Sequence, residues 1–492
     1  MTFISVDLGT TNIKVAAYDE KLNELSMVKQ PVDYLRDGDM VEFDPEDYFI
    51  RIKNLISSCC ADSHQKTPYQ IQQIILTGQA ESLIIVDEKM KPLRNGISWL
   101  DMRSKEECFT LQERFSIELC HQITGQPEII PTWPITKILW IKKNEPNVFI
   151  KTHKFMLLKD YIQYRLTGKI YGEYSIYSFS HYFDIFKKDY WLEILEYCGI
   201  PTNKLPKLIE PCTVIGNITE EISTDLDISQ TAKVNVGTLD HFAGMIGGGN
   251  IEEGFISEST GTVLSIATLV NKTIMNDQKA AYHYGPFKDS YVLLQTCESG
   301  GISLEWFKNQ FFPQESFNFL NEIIEKRTLP NELVFLPFIT GVNAPDYNRD
   351  AKGVFYGIQI KHDKYDFAYS VMEGVAHLLK INIDHIEKSG IYVDKIISTG
   401  GGSQSDIWSQ IKANITGKQI LIPSTREVAC LGAAIIGAVS EGLVSNYQDA
   451  INHFVISNKT FLPQKTKQFD RKHELFLFLY EQLAPVFKNY KI

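Results

Sequence analysis

Short apolar runs separated by polar turns open the chain, and this pattern is typical of β-strands. Residues 3–6 and 13–18 flank a turn and residues 25–34 return, which predicts a three-stranded antiparallel unit. A helix is predicted next, because Asp44 is a good N-cap and apolar residues then recur every three or four positions. Residues 71–76 are continuously apolar, as a buried strand would be.

The middle of the chain, about residues 105 to 235, looks more helical and irregular, with many aromatic residues and prolines. We expect it to elaborate the first domain and to shape a pocket. The second half begins near Gly249 and repeats the strand–turn–strand start. It then predicts strands and helices at 334–338, 354–360, 366–389 (helix), 395–398, about 405–416 (helix), 419–422 and about 429–442 (a small-residue helix).

Two turns are candidates for phosphate binding. The first, Asp7-Leu8-Gly9-Thr10-Thr11, follows the first strand, and the second, Ser259-Thr260-Gly261-Thr262, lies about half a chain later. Such turns direct backbone N–H groups and hydroxyls at an anion, and Asp7 can hold Mg²⁺ directly or through water. Taken alone, each motif is also compatible with an ordinary hairpin turn. Because each half opens this way, we predict two related α/β lobes, 1–248 and 249–492, with nucleotide held in a cleft between them.

Composition and charge narrow the class of protein. The net charge of the 492-residue chain is −11, which argues against a nucleic-acid partner. Eight cysteines without a C-x-x-C spacing suggest reduced thiols and a cytoplasmic protein. The chain begins directly with a strand-like run, and no apolar stretch approaches the ~18 residues of a membrane span. We therefore expect neither a leader nor a membrane partner. Phosphate loops of the G-x-x-x-x-G-K-[ST] and G-x-G-x-x-G types do not occur.

Eight segments in a fixed order resemble the FGGY carbohydrate kinases of the actin-like ATPase superfamily. The resemblance covers nearly the whole chain and implies two actin-like, ribonuclease-H-like domains, ATP and Mg²⁺ as cofactors, and phosphoryl transfer to a sugar hydroxyl. The segments are 7–11, 78–79, 99–103, 134–140, 237–240, 260–262, 353–357 with 370–373, and 400–402.

The resemblance assigns roles around the phosphates. Asp7 matches the metal-associated aspartate, although a turn-capping Asp is the alternative. Asp240 matches the general base, a carboxylate that accepts the proton of the attacking alcohol, with an N-cap role as the alternative. Small residues after Asp240, at 243–249, would let a helix start approach the substrate. The positions matched to the nucleotide phosphates are Thr10, Thr11 and Lys14 in the first lobe and Gly261 and Thr262 in the second; Lys14 is equally compatible with a solvated strand charge.

Sugar recognition requires several fixed polar groups. The family places them at Gln79, Ala80, Glu81, Trp99, Asp101 and Arg103, together with Asp240. Asp101 and Arg103 are also compatible with a plain ion pair. Xylulose kinases usually carry Met-His, and glycerol kinases Arg-Glu, where this chain has Ala80-Glu81, so the substrate stays open. The positions matched to adenosine are Gly401, Gly402, Ser405, Gly300 and Gly301, whereas Lys137, Trp140 and residues 355–357 are interpreted as packing.

The sequence therefore predicts an ATP-dependent carbohydrate kinase of xylulose-kinase-like pattern. A ketopentose such as xylulose is the leading acceptor, with glycerol, erythritol or an aldonate such as gluconate as alternatives. Two other classes stay open: an actin-like ATP-driven switch without sugar phosphorylation, and a sugar sensor that has lost turnover. The expected partners are the sugar and ATP, and a homodimer is a further option.

Overall fold

The computed structural model describes residues 1–64, 70–271, 277, 279–327, 332–342, 344–464 and 467–490. Two compact units divide the chain. The first comprises residues 1–249, 281–292 and 427–455, and the second comprises residues 250–280, 293–426 and 456–492. The segments 281–292 and 427–455 thus return to the first unit, whereas the sequence suggested one contiguous division at 248/249, which stays a prediction.

The described strands run in chain order as follows: β1 (Thr2–Leu8), β2 (Asn12–Tyr18), β3 (Glu24–Pro31), β4 (Leu35–Asp37), β5 (Met40–Phe43), β6 (Ile71–Gly78), β7 (Leu83–Val86), β8 (Gly96–Ile97), β9 (Lys154–Leu157), β10 (Tyr171–Glu173), β11 (Phe183–Asp184), β12 (Asp189–Tyr190), β13 (Lys207–Ile209), β14 (Val214–Asn217), β15 (Lys233–Asn235), β16 (Phe255–Thr260), β17 (Leu264–Val270), β18 (Tyr282–Tyr284), β19 (Tyr291–Cys297), β20 (Val334–Leu336), β21 (Val354–Tyr356), β22 (Lys395–Thr399), β23 (Gln419–Pro423) and β24 (Ser457–Phe461).

The described α-helices are α1 (Pro45–His64), α2 (Lys105–Gln112), α3 (Ile117–Thr124), α4 (Pro134–Asn144), α5 (Pro146–Lys151), α6 (Leu158–Thr167), α7 (Tyr174–Tyr177), α8 (Leu192–Cys198), α9 (Glu220–Leu226), α10 (Asp240–Gly248), α11 (Ile302–Phe311), α12 (Phe317–Glu325), α13 (Lys364–Lys388), α14 (Asp406–Thr416), α15 (Val428–Ser440), α16 (Tyr447–Phe454) and α17 (Lys467–Asn489).

The main sheet of the first unit has the strand order β14-β15-β6-β1-β2-β3. Antiparallel pairing of β1 with β2 and of β2 with β3 confirms the predicted three-stranded unit. β6 pairs in parallel with both β1 and β15, so three strands end at the same edge. The predicted helix is also present as α1, whose first turn is capped because Asp44 Oδ1 accepts from Glu46 N at 2.8 Å.

Helices α10 and α15 pack closely together in the first unit, and small residues permit this approach. A Cβ atom on Gly432 would lie 1.8 Å from the carbonyl oxygen of Ala243, and one on Gly247 would lie 2.0 Å from that of Val428. Ser5 of β1 donates to the Cys430 carbonyl at 2.7 Å, which ties α15 to the sheet. Small residues after Asp240 therefore permit close helix packing, and their role in substrate approach stays a prediction.

The sheet of the second unit repeats this arrangement and contains the consecutive strands β17-β16-β22-β23-β24. β16 and β17 form an antiparallel hairpin, and β22 pairs in parallel with both β16 and β23. The long predicted helix is present as α13, but Asp363 caps it, so it begins before Asp366. Both units thus carry an antiparallel start followed by a parallel strand, the two-domain α/β arrangement that was predicted.

Cysteine burial and helix hydropathy are two bulk properties of the part of the chain that the structure covers. Seven of the eight cysteines are buried, and Cys212 is half-buried. None of the described helices combines the length and apolar character of a membrane span.

Candidate active site

Three parallel strands of the first unit end together and bring predicted site residues to one edge. Asp7 pairs in register with Thr77, and Leu8 pairs with Gly78. Gly78 also forms a parallel bridge with Leu239, and Thr77 donates to the Thr238 carbonyl at 2.9 Å. Gln79 and Asp240 directly follow the bridged residues. The carboxyl ends of parallel strands are where α/β sheets bind ligands, so this edge is the candidate catalytic site.

Asp7 is a buried carboxylate with one unsatisfied oxygen. Its Oδ1 atom has no hydrogen-bond partner in the described structure, and Lys14 Nζ lies 3.7 Å from Oδ2. Burial, followed by the negative charge of Asp240, raises the pKa of Asp7 to about 7, although Lys14 opposes the shift. Asp7 and Asp240 are therefore close enough to interact electrostatically. The predicted metal-associated aspartate and the predicted general base must lie near each other to act on the same phosphoryl group.

Lys14 is not a solvated strand charge. Its Nζ donates to Glu427 Oε2 at 2.6 Å while lying beside Asp7. Burial lowers the pKa of Lys14, but Asp7 and Glu427 outweigh it and leave the pKa above its ordinary value. Glu427, the N-cap residue of α15, was missed from the sequence because it lies 413 residues from its partner.

Asp240 is the first residue of α10, and its carboxylate is partly exposed. Leu239, rather than Asp240, occupies the N-cap position, so the N-cap alternative does not describe this residue. Oδ1 accepts from the His241 backbone N–H at 2.7 Å. An acidic residue in the first helical turn interacts favourably with the helix dipole, which favours the charged form of the side chain.

Thr10, Gln79 and Trp99 come together beside the first turn. The Trp99 indole N–H donates to Thr10 Oγ1 at 2.9 Å, and Gln79 Nε2 donates to the Gly9 carbonyl at 3.4 Å. Ser82, which the sequence analysis missed, links Gln79 to Trp99. Its hydroxyl donates to Gln79 Oε1 at 2.8 Å and accepts from Trp99 N at 3.1 Å. Thr11 is exposed, and its carbonyl accepts from Val32 N at 3.0 Å.

Glu81 has an unusual backbone and a charged neighbour. Its φ of 68° lies in the left-handed region, which costs energy for a residue with a side chain. Burial raises the pKa of Glu81 even though Lys137 opposes the shift, and burial lowers the pKa of Lys137 even though Glu81 opposes it. Lys137 was assigned to packing, yet the structure makes it a buried cation that donates to the Thr132 carbonyl at 2.7 Å. Ala80, next to Glu81, is buried.

Asp101 and Arg103 form a buried ion pair, which was the alternative left open. Asp101 Oδ2 accepts from Arg103 Nη2 at 2.7 Å and from Val41 N at 2.6 Å, and Arg103 Nη2 also donates to Glu42 at 2.6 Å. The Arg103 guanidinium additionally lies 4.8 Å from the ring centre of Trp140. These contacts engage both side chains within the protein.

The second unit contains a cavity of about 400 Å³ at the end of its own hairpin. Six residues predicted for the nucleotide line it, which are Gly261, Thr262, Gly301, Gly401, Gly402 and Ser405. Gly300 is not part of this wall; a Cβ there would lie 2.3 Å from Leu264 N, so it packs against the turn. The sequence analysis missed four further residues of the cavity wall, Phe317, Asn318, Asn321 and Trp408, the last of which lies in α14, the helix after the glycine loop.

Backbone hydrogen bonds shape this cavity. Gly301 N donates to the Gly261 carbonyl at 2.9 Å, and Ile302 N donates to the Thr262 carbonyl at 3.0 Å. The Gly261 N–H bonds within its turn to the Val263 carbonyl at 3.0 Å, so it does not point at an anion as expected. Ser405 caps α14 by accepting from Trp408 N at 3.2 Å and also donates to Asn321 Oδ1 at 2.9 Å.

The carboxylates of Asp7 and Asp240 fit a Mg²⁺ ion that also binds substrate phosphates better than a metal ion held by protein ligands alone. No group of three or more His, Cys, Asp or Glu residues within the described ranges forms a cage for a metal ion. Mg²⁺ is usually bound through one or two carboxylates, waters and substrate phosphates. The unsatisfied Oδ1 of buried Asp7 fits that mode.

Comparison with known proteins identifies the class. Residues 2–247 match the N-terminal domain, and residues 259–441 the C-terminal domain, of the FGGY family of carbohydrate kinases. The chain therefore belongs to this family. It is a sugar kinase, a phosphotransferase with an alcohol acceptor, and family members use ATP as phosphate donor. This sets aside the ATP-driven switch without sugar phosphorylation.

Particular relatives span nearly the whole chain. A xylulose kinase of Bacillus subtilis (strain 168) is 27% identical over 485 residues, covering 98% of this chain and 96% of its own. A gluconokinase of Bacillus licheniformis is 26% identical over 501 residues, covering 99% and 94%. The crystal structure of a ligand-bound xylulose kinase from Lactobacillus acidophilus matches with a TM-score of 0.89 and 25% identity, covering 98% of each chain.

Proposed function

We propose that this kinase phosphorylates a ketopentose such as xylulose, with Asp240 as general base. The observation that carries the proposal is the shared strand edge, where Asp240 lies close enough to Asp7 to raise its pKa. The similarity to xylulose kinases over almost the full length supports the choice of acceptor.

The proposed reaction needs few groups from the protein. A sugar hydroxyl attacks the γ-phosphorus of ATP, Asp240 takes the hydroxyl proton as the new O–P bond forms, and ADP leaves as the bond to its β-phosphate oxygen breaks. Asp240 suits this role because its carboxylate is partly exposed and, among the described residues, accepts a hydrogen bond from His241 N alone.

Asp7 is proposed to hold Mg²⁺ through the unsatisfied Oδ1 atom. A bound Mg²⁺ would neutralise phosphate charge. Thr10 lies in the turn after β1, and Lys14 lies in the next strand, β2. Lys14 offsets the charge of Asp7, and the Trp99 indole fixes the Thr10 hydroxyl. These contacts give the turn a defined geometry before any phosphate arrives.

The sugar is proposed to contact Gln79, Glu81 and Trp99 in the first unit. Gln79 and Trp99 are already oriented by Ser82, which lowers the entropy cost of binding. Ala80 and the Asp101–Arg103 pair would support this surface from behind rather than touch the sugar, because they are buried or paired internally. The 400 Å³ cavity of the second unit is proposed to take adenosine.

An aldonate such as gluconate is the second candidate acceptor, because gluconokinases are among the relatives. The neighbourhood of Glu81 favours a neutral sugar, since Lys137, a buried cation there, already interacts with the Glu81 carboxylate. A negatively charged substrate would add a third charge to that pair. Glycerol and erythritol are smaller neutral alternatives.

A sugar panel with coupled ADP detection tests the acceptor. Pentuloses, hexuloses, tetritols, glycerol and aldonates are each offered with ATP and Mg²⁺, and kcat/KM is compared. We expect xylulose or another pentulose to give the highest value. A gluconate value above every pentulose would contradict the proposal.

Size-exclusion chromatography with light scattering tests the further proposal of a homodimer, and fractionation of the source cells tests a cytoplasmic location.

A further inference from the structure

A buried ion pair lies beneath the cavity of the second unit and contacts its first turn directly. The side chains of Glu258 in β16 and Lys412 in α14 are both fully buried. Lys412 Nζ donates to Glu258 Oε1 at 2.9 Å and to Thr260 Oγ1 at 2.7 Å. Thr260 is the residue before Gly261 and itself lines the cavity. The Thr260 hydroxyl thus connects the buried Glu258–Lys412 ion pair to the wall of the cavity.

Every member of this network is satisfied. The Thr260 hydroxyl donates to Glu258 Oε1, and the Ser398 hydroxyl donates to Glu258 Oε2. The Lys412 ammonium also lies 5.1 Å from the ring centre of Trp408, another cavity residue. Buried ion pairs seldom stabilise a fold more than apolar residues would, because desolvation offsets their attraction. A fully bonded network does, however, fix the geometry of its members.

Thr260 also supports the second loop of the cavity. A Cβ on Gly402 would lie 2.7 Å from Thr260 Cβ, and one on Gly400 would lie 2.9 Å from the Thr260 carbonyl oxygen. Glycine is therefore required where the loop 400–402 crosses Thr260. The 261–262 turn and the 400–402 loop, on which nucleotide binding depends, both rest on this residue.

We propose that Glu258 and Lys412 are positioning residues for the nucleotide, acting through Thr260 to hold the two cavity loops in their binding geometry. The inference rests on the proposed placement of adenosine in this cavity. Neither side chain touches the nucleotide. Their effect is to preorganise the 261–262 turn and the glycine loop, so their loss weakens nucleotide binding without altering sugar binding.

The deciding variant is the double substitution Glu258→Leu/Lys412→Leu. It removes both charges, so no unpaired charge is left buried, and the fold is expected to persist. The matched control is Glu373→Leu/Lys472→Leu, which removes the buried pair between α13 and α17 in the same unit. Neither Glu373 nor Lys472 lines the nucleotide cavity.

Isothermal titration of the full-length protein with Mg·ADP gives the readout, and it needs no sugar. We expect the Kd of the Glu258/Lys412 variant to rise roughly tenfold, the loss of about one good contact, while the control variant binds like wild type. With an accepted sugar, the KM for ATP should rise and the KM for the sugar should not. Circular dichroism and thermal melting check that both variants are folded.

A second pair of variants separates the hydroxyl from side-chain shape. Thr260→Ser keeps the acceptor for Lys412 and should bind Mg·ADP nearly as wild type, whereas Thr260→Val should bind more weakly. Wild-type affinity in a folded Glu258/Lys412 double variant would overturn the inference and leave the proposed function intact. Wild-type protein that does not bind Mg·ADP at all would overturn the nucleotide placement and the inference together.

Discussion

The indole N–H of Trp99 donates to the side-chain oxygen of Thr10 over 2.9 Å. The bond joins a residue predicted for the sugar to a residue predicted for the phosphates, although 89 positions separate them. Removing it should therefore affect both substrates. Trp99→Phe keeps the ring but not the donor, and a lost hydrogen bond of about 1 kcal/mol predicts a roughly fivefold rise in the KM for ATP and for sugar.

Steady-state kinetics with each substrate varied in turn checks this coupling. Trp191→Phe is the matched control, because that ring packs on Phe115 in the same unit and is not part of the site. If Trp99→Phe changes only the sugar KM, the bond to Thr10 does not couple the two groups.

Glu81 should make sugar binding depend on pH. Burial raises its pKa above the ordinary value of 4.5, so the carboxylate that accepts sugar hydroxyls forms only as pH rises through the raised pKa. The sugar KM should consequently fall between about pH 5 and about pH 8. Glu81→Gln should raise the KM by about tenfold at the upper pH and remove this dependence.

Titration of the KM over that range for both proteins is the measurement. The same shift has a stability consequence: the folded state favours protonated Glu81, so the stability that this group contributes at low pH is lost as pH rises. A pH dependence that is unchanged in Glu81→Gln would assign it to another group.

Asp7→Asn should increase the Mg²⁺ requirement. The amide keeps the size of the side chain but removes the charge of the one carboxylate proposed to hold the ion. We expect the Mg²⁺ concentration for half-maximal activity to rise at least about tenfold and kcat to fall. Activity measured against free Mg²⁺ at saturating ATP reports the change. A variant with the wild-type Mg²⁺ curve would remove Asp7 from the metal site.

Arg103 should matter mainly for stability. Arg103→Met removes the cation that pairs with buried Asp101, a loss of about 3–5 kcal/mol in the free energy of unfolding, whereas Glu42 keeps its ion pair with Arg94. Arg51→Met is the control, since its partners Asp33 and Asp47 are largely exposed and such pairs contribute about 0.2–1 kcal/mol. Denaturant unfolding compares the two. A sugar KM raised a hundredfold with stability unchanged would instead make Arg103 a sugar contact.

Much of the fold followed from local sequence signals. Strands β1 and β2, helix α1 with its Asp44 cap, and helix α14 after the glycine loop were all predicted, because apolar periodicity and capping are local properties. Some helix boundaries differ from the prediction because a different residue caps the helix. The N-cap of α13 is Asp363, whereas the sequence predicted a start at Asp366. The return of α15 to the first unit was not visible, since it depends on distant packing against β1.

Sequence motifs locate candidate site residues, but they do not indicate which distant side chains those residues contact. Asp7 and Asp240 stand at strand ends that a motif can locate. The partners of Lys14 and Thr260, which are Glu427 and Lys412, lie 413 and 152 residues away and carry no local signature. Lys137 was assigned to packing, and its burial beside Glu81 emerges only in three dimensions.

The most direct test of the account is turnover of Asp240→Asn with saturating sugar and Mg·ATP. Loss of a general base typically costs at least about 10²-fold, so kcat should fall by that factor while the Kd for Mg·ADP stays close to the wild-type value. Asp33→Asn, whose side chain is 75% exposed, serves as the control and should keep wild-type kcat. A folded Asp240→Asn protein with wild-type kcat would contradict the proposed mechanism.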